Sequence, residues 1–313
     1  MLTAEFGWCN GATIFKTLDG GRSWIPLTLP DASPRGPLGA IFASSHGSLA
    51  ATFVSPQSGW MTESPNQRLF WTGDGGATWQ ERQILAEPYS YMVCNVRFLT
   101  PTLGLALVWE RTPGVYRSED SGRTWKRQVY APHRMIQDRR AGPGWLEFAD
   151  LLHGLSIEHE GMLFTRDGGK TWQNSRYCSN VNTKVLHQAP IGSPTWSGIA
   201  AQLLDAEYGW WAMVGDLFRT TDGGATWCQL PPIRLGTREI NVAELHFANR
   251  KLGWAMPDMF GIGKLPIFET RDGGQSWKPV ELPGDPWIYG MSVVSESVIF
   301  VWDDTRLYRM IPN

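Results

Sequence analysis

The chain has 313 residues, a formal net charge of −2, 42% hydrophobic residues and 17 tryptophans. That charge gives no global field to attract nucleic acid or an anionic membrane, and no apolar run reaches the ~18 residues of a membrane helix. A chain this long often forms two domains, but its internal repetition argues for one, spanning 1–313.

In chain order, the first unit opens at Gly7-Trp8 and passes through the β-type run Thr13-Ile14-Phe15. It then reaches Thr17-Leu18-Asp19-Gly20-Gly21-Arg22-Ser23-Trp24. This phrase, Ser/Thr-x-Asp-x-Gly-x-Ser/Thr-Trp, recurs at 72–79, 118–125, 165–172, 220–227 and 270–277, with its tryptophans 46 to 55 residues apart. A short β-type run precedes each copy: Leu69-Phe70-Trp71, Val115-Tyr116, Leu163-Phe164, Leu217-Phe218 and Ile267-Phe268. Gly59-Trp60, Gly104-Leu105, Gly154-Leu155, Gly209-Trp210 and Gly253-Trp254 start another strand upstream. Further upstream lie the apolar runs Leu49–Val54, Met92–Phe98, Trp145–Phe148, Ile199–Leu204 and Ile240–Phe247. Each unit therefore reads as strands A, B, C and D, with the Asp phrase joining C to D. No helical period is sustained. Four strands in a repeat of this length indicate a β-propeller blade.

The last unit, 286–313, is degenerate: Tyr289–Val294, Ser297–Trp302 and Arg306–Met310 read as A, B and C. The expected fold is all-β, a seven-bladed propeller whose first blade lacks strand A and whose last lacks strand D. Both missing pieces would precede Met1. The expectation is a trimmed or fragmentary N-terminus, with an authentic start and an incomplete ring as the alternative.

Asp19, Asp74, Asp120, Asp167, Asp222 and Asp272 are read as structural. A short carboxylate there can accept backbone N–H groups two or three residues on, the glycines that follow supply positive φ, and Ser23, Thr78, Thr124, Thr171, Thr226 and Ser276 add local bonds. Ten of the tryptophans belong to the Asp phrases and the Gly-Trp pairs, so the aromatic content is read mainly as packing between blades.

The phrase resembles the Asp-box, or bacterial neuraminidase repeat, found in sialidases, sortilin-type receptors, xyloglucan hydrolases and photosystem II stability/assembly factor-like proteins. The composite unit Ala206–Trp227, with Gly-Trp some 17 residues before the Asp-box tryptophan, is most similar to the last group. The resemblance implies a non-catalytic, usually exported propeller that acts as a scaffold or assembly factor. The export signal is then expected to be missing from this chain, with a cytoplasmic location as the alternative.

In such a fold the A–B and C–D turns share one face and the D–A and B–C loops the other, where a ligand site is expected because loop variation is free. The long D–A connections carry His133, Arg134, Arg139, Arg140, Arg176, Tyr177, Lys184 and Trp196, and the next adds Arg238. Arginine and aromatic side chains suit protein interfaces and anion sites. The expected partner is a protein, possibly acidic, or a glycan, bound by a monomer; the bland alternative is solvated loop charge. The enzyme alternative is a sialidase-like glycoside hydrolase. Tyr91, Arg97 and Tyr289 lie in or near strand A without forming a constellation, and Asp150 and Asp205 are read as turn residues. His153 and His159 are the closest histidine pair and lack an obvious third ligand, so no metal or cofactor is expected. Cys9, Cys94, Cys178 and Cys228 fall in four different units without C-x-x-C spacing; they are read as buried free thiols, with a disulfide left open.

Overall fold

The computed structural model describes residues 5–10, 14–28, 49–63, 68–85, 92–109, 113–128, 145–158, 161–179, 181, 199–213, 215–258, 265–282, 287–288, 290–303 and 307–310. Among the described residues seven blade sheets follow one another along the chain, antiparallel but for one added parallel strand in the fifth, with a separate two-stranded hairpin between the fifth and sixth, and there is no helix. The fold is a seven-bladed β-propeller. Blade 2 orders Leu49–Phe53, Gly59–Glu63, Arg68–Thr72 and Gln80–Arg82; blade 3 orders Met92–Phe98, Gly104–Trp109, Pro113–Ser118 and Lys126–Arg127. Blade 4 runs from Trp145–Phe148 to Gln173–Asn174, blade 5 from Ile199–Leu203 to Thr226–Leu230, and blade 6 from Val242–Phe247 to Lys278–Val280. The first sheet (Gly7–Asn10, Ile14–Thr17, Ile25–Pro26) and the last (Gly290–Ser295, Val298–Trp302, Leu307–Met310) have three strands each, as the sequence suggests. By contacts the chain forms two compact units, Met1–Tyr130 with Pro143–Leu146, and Ala131–Gly142 with Glu147–Asn313.

The Asp turn is built the same way six times. The hydroxyl of the Ser or Thr two residues before the aspartate is buried, donates to Asp Oδ1 and accepts the N–H of the glycine two residues after the aspartate: in blade 1, Thr17 Oγ1 donates to Asp19 at 2.8 Å and accepts Gly21 N–H at 2.8 Å. Asp19 Oδ1 also accepts the N–H of Ser23 at 2.9 Å, and Oδ2 accepts the Ser23 hydroxyl at 2.6 Å. The other five copies repeat the Oδ1 contact with Thr78, Thr124, Thr171, Thr226 and Ser276. The principal backbone donor is thus four residues beyond the aspartate, while the N–H three residues on also contributes as the sequence suggests, as in Lys170 to Asp167 at 3.0 Å. The buried hydroxyl has already taken the nearer glycine N–H, so the carboxylate spans the whole turn. The residue after each aspartate in turn donates its N–H to the A–B turn of its own blade, as in Gly75 to Gln57 O at 2.8 Å and Gly223 to Glu207 O at 2.7 Å. The A–B and C–D turns therefore lie at the same end of each blade.

The aromatic residues link neighbouring blades. Phe53, Phe98 and Phe247 each end a strand A, and each meets the strand B tryptophan of the preceding blade. Trp8 lies 5.8 Å from Phe53, while Trp60 stacks on Phe98 at 3.6 Å and Trp210 on Phe247 at 3.5 Å. Each phenylalanine then meets the Asp-turn tryptophan of its own blade edge-on: Trp79, Trp125 and Trp277. Such pairs add ~0.5–1.5 kcal/mol each beyond their buried area. The indoles also reach the next Asp turn, with Trp60 Nε1 donating to Ser121 O at 3.3 Å and Trp210 Nε1 to Gly273 O at 2.9 Å. The glycine opening strand B follows from the same ring. A Cβ at Gly59, Gly104, Gly154 or Gly253 would stand 2.4–2.5 Å from Phe53, Phe98, Phe148 or Phe247.

These turns carry a pH dependence. Hydrogen bonds from the Ser23 and Thr78 hydroxyls, then from their N–H groups, lower the carboxyls of Asp19 and Asp74 to about 2. A carboxylate held below its unfolded value of ~3.9 stabilises the fold fully above that value. The contribution is lost as pH falls through the folded value. The melting temperature is expected to be level from roughly pH 7 to 5 and to drop between about pH 4 and 2. Circular dichroism melts across that range test this, and a level profile down to about pH 2 would refute it.

Candidate functional site

The end of the blades opposite the Asp turns holds the D–A and B–C connections. Its best-defined element follows strand D of blade 5. Ile233 and Ile240 are buried in the core shared by blades 5 and 6, and Ile240 N–H donates to Ile233 O at 2.9 Å. Between these anchors, Arg234–Leu235 pairs with Arg238–Glu239 as a two-stranded hairpin whose six residues are all exposed. Gly236 at the tip has φ 63°, a positive φ at the first loop position as in a type II′ turn. Ile240 therefore closes this hairpin instead of opening strand A, which begins at Val242.

The hairpin has a mixed chemistry. Arg234 and Glu239 form an ion pair across it at 2.6 Å. Leu235 remains 38% exposed opposite Arg238 at the tip, and Trp287, in the connection entering blade 7, is 44% exposed. Below the hairpin, Asp216 of the blade 5 B–C turn accepts Gln229 Nε2 at 2.7 Å. Burial pushes the Asp216 carboxyl above its ordinary value against that hydrogen bond, and the nearby Glu239 charge adds to the rise.

Arg238 is thus on the hairpin. Arg176 and Tyr177 are elsewhere: they form a short strand parallel to the outer strand of blade 5, with Arg176 beside Thr226 and Tyr177 beside Trp227. That is the Asp-turn end of strand D, whereas the hairpin follows its other end at Leu230, so the structure does not bring Arg176 and Arg238 together. His133, Arg134, Arg139, Arg140, Lys184 and Trp196, with Tyr91 and Tyr289, lie outside the described residues. Asp150 and Asp205 cap A–B turns. Asp150 accepts the N–H groups of Leu152 and His153 at 2.7 and 2.8 Å, and Asp205 those of Glu207 and Tyr208, both at 2.8 Å. Arg250 pairs with both Asp205 and Glu207 at 3.0 Å.

The reading of Cys178 and Cys228 as free thiols is corrected. They form a disulfide with a Cα–Cα separation of 4.9 Å. The cause is register: the parallel pairing of 176 with 226 and 177 with 227 places 178 beside 228. Arg176 N–H donates to Ala225 O at 2.8 Å and Cys178 N–H to Trp227 O at 2.9 Å, fixing the alignment. Tyr177 packs against the core between blades 4 and 5, and burial pushes its phenol up to about 12.

Repeated Asp turns, inter-blade aromatic stacks and a projecting D–A hairpin define a β-propeller with its variable chemistry in the connections. Comparison with solved structures gives the same fold. The chain is similar to YCF48 bound to D1 peptide, with a TM-score of 0.63 and 18% identity over 100% of this chain and 92% of that one. It is similar to YCF48 from Cyanidioschyzon merolae, with a TM-score of 0.60 and 15% identity over 95% and 88%. An ancestral GH74 enzyme shares the fold at a TM-score of 0.57 and 12% identity, covering 96% of this chain but 42% of that one. No protein-family model and no curated protein matches the sequence.

Proposed function

We propose that this chain is a non-catalytic propeller that binds a protein partner through its D–A connections, outside the cytoplasm. The observation that carries the reading is the likeness, along the whole chain, to a propeller whose structure contains a bound peptide. The hairpin supports it. Two buried isoleucines hold it, while its tip offers exposed Leu235 paired with exposed Arg238, the combination that interfaces favour. The disulfide supports the location, because such bonds persist in oxidising compartments and are rare in the cytosol. The partner is acidic on this reading, given Arg238 here and Arg134, Arg139 and Arg140 in the preceding connections.

Photo-crosslinking from benzoylphenylalanine at position 235 is expected to capture the partner, whereas the same group at exposed Leu18, in an Asp turn, is not. Capture should weaken as salt rises from roughly 50 to 300 mM. Arg238→Glu should reduce it several-fold and leave the melting temperature nearly unchanged, since exposed charges contribute little stability. Capture from position 18 alone, or indifference to Arg238→Glu, overturns the proposal. The GH74-like fold motivates a glycoside hydrolase as the second reading. Hydrolysis of a fluorogenic glycoside above buffer, anywhere from about pH 4 to 8, would favour it.

A further inference from the structure

Among the described residues, blade 5 is the blade whose outer strand is covered. The outer strands of blades 2, 3, 4 and 6 end their sheets, so the fold does not require a fifth strand. In blade 5 the chain leaving blade 4 runs as a strap beside Thr226 and Trp227, parallel to strand D, and then turns back so that Val181 N–H donates to Cys178 O at 3.0 Å. The strap's ladder is only two residues long. Its anchors are the N–H groups of Ser175, Arg176 and Cys178, the Ser175 hydroxyl on Gly224 O, the packing of Tyr177 and Val181, and the disulfide. Strand D itself is held independently. It pairs with Asp216–Thr220 through Leu217–Leu230, Phe218–Gln229 and Arg219–Cys228, and Trp227 is fully buried.

We propose that the Ser175–Cys178 strap is a redox-released cover over the outer edge of blade 5. A dithiol reductant, protein or small molecule, delivers two electrons and two protons to Cys178–Cys228. The S–S bond breaks, two thiols form on the chain, and the dithiol becomes a disulfide through a mixed-disulfide intermediate. Both cysteines are partly exposed, so the reductant can reach them. Without the covalent link, the short parallel ladder, the Ser175 bonds and the packing of Tyr177 and Val181 must hold the strap against its conformational entropy. The strap then leaves, exposing the carbonyls of Ala225 and Trp227 as an open edge. Such an edge accepts an extended segment of another chain, and the strap itself shows that this one takes a parallel strand.

The experiment compares oxidised protein, protein reduced with dithiothreitol, and the Cys178→Ser and Cys228→Ser variants. Hydrogen exchange is read by mass spectrometry, with reduction verified by thiol labelling at both positions. The expected result is at least about tenfold faster exchange of the Arg176 and Cys178 amides after reduction. Amides of Gly154–Glu158 and Asp216–Thr220 should stay protected. The Tyr177 phenol, followed by ultraviolet absorbance, should titrate near its ordinary value of ~10 in place of about 12. The serine variants should match the reduced protein without any reductant. Unchanged strap protection after verified reduction overturns the proposal. So does loss of protection throughout blades 4 and 5, which would make the disulfide a staple of the fold.

Discussion

Replacing Trp210 with alanine is expected to lower the unfolding free energy by about 4 kcal/mol, within the range for deleting a buried aromatic side chain. Three features add at this position. The side chain is fully buried, its ring stacks on Phe247 at 3.5 Å with planes 5° apart, and its Nε1 donates to Gly273 O at 2.9 Å. Those contacts cross from blade 5 to blade 6, so alanine leaves both a cavity and an Asp-turn carbonyl without its donor. Trp210→Phe keeps much of the stack and loses the hydrogen bond, and should cost about 1–2 kcal/mol. Urea titrations followed by circular dichroism should show a lower midpoint with the slope preserved. A cost below about 1.5 kcal/mol for alanine would mean that the inter-blade stack is not what joins these two sheets.

The blades were legible because each one writes its own C–D turn. Thr220, Asp222, Gly224 and Thr226 close a single hydrogen-bonded loop, so a local phrase suffices to place two strands. A second mark is a phenylalanine followed six residues later by glycine: Phe53 and Gly59, Phe98 and Gly104, Phe148 and Gly154, Phe247 and Gly253. Its cause is a steric contact across the A–B turn, with no turn chemistry to announce it in the sequence. The hairpin at Arg234–Glu239 has a signal too, Gly236-Thr237 midway between Ile233 and Ile240, but Ile240 equally fits the apolar run of strand A. The disulfide had none. Ser175-Arg176-Tyr177-Cys178 reads as loop until its parallel partner is known, and that partner lies about 50 residues away. Candidate site residues were hardest to read, because side chains in connections answer to a partner and not to the repeat.

Gly253→Ala should cost about 3 kcal/mol, although the usual effect of replacing a strand glycine with alanine is to stabilise by ~0.4–1 kcal/mol through the unfolded chain. The added Cβ would stand 2.5 Å from Cδ1 of Phe247 and 2.6 Å from Cε1. That ring cannot yield cheaply, because Trp210 stacks on one face and Trp277 meets it edge-on at 6.0 Å. Overpacking of a trapped ring therefore outweighs the entropy gain. Phe247→Ala alone should cost about 4 kcal/mol, yet it removes the obstacle, and Gly253→Ala in that background should cost almost nothing. The double variant should then be more stable than the sum of the single effects by at least about 2 kcal/mol, a coupling typical of residues in direct contact. Gly236→Ala is the control: its φ of 63° strains an alanine, but no atom lies within 4 Å of the new Cβ, so about 1 kcal/mol is expected, independent of Phe247. If Gly253→Ala and Phe247→Ala add without coupling, the glycine answers to backbone conformation and the steric account of the repeated pair fails.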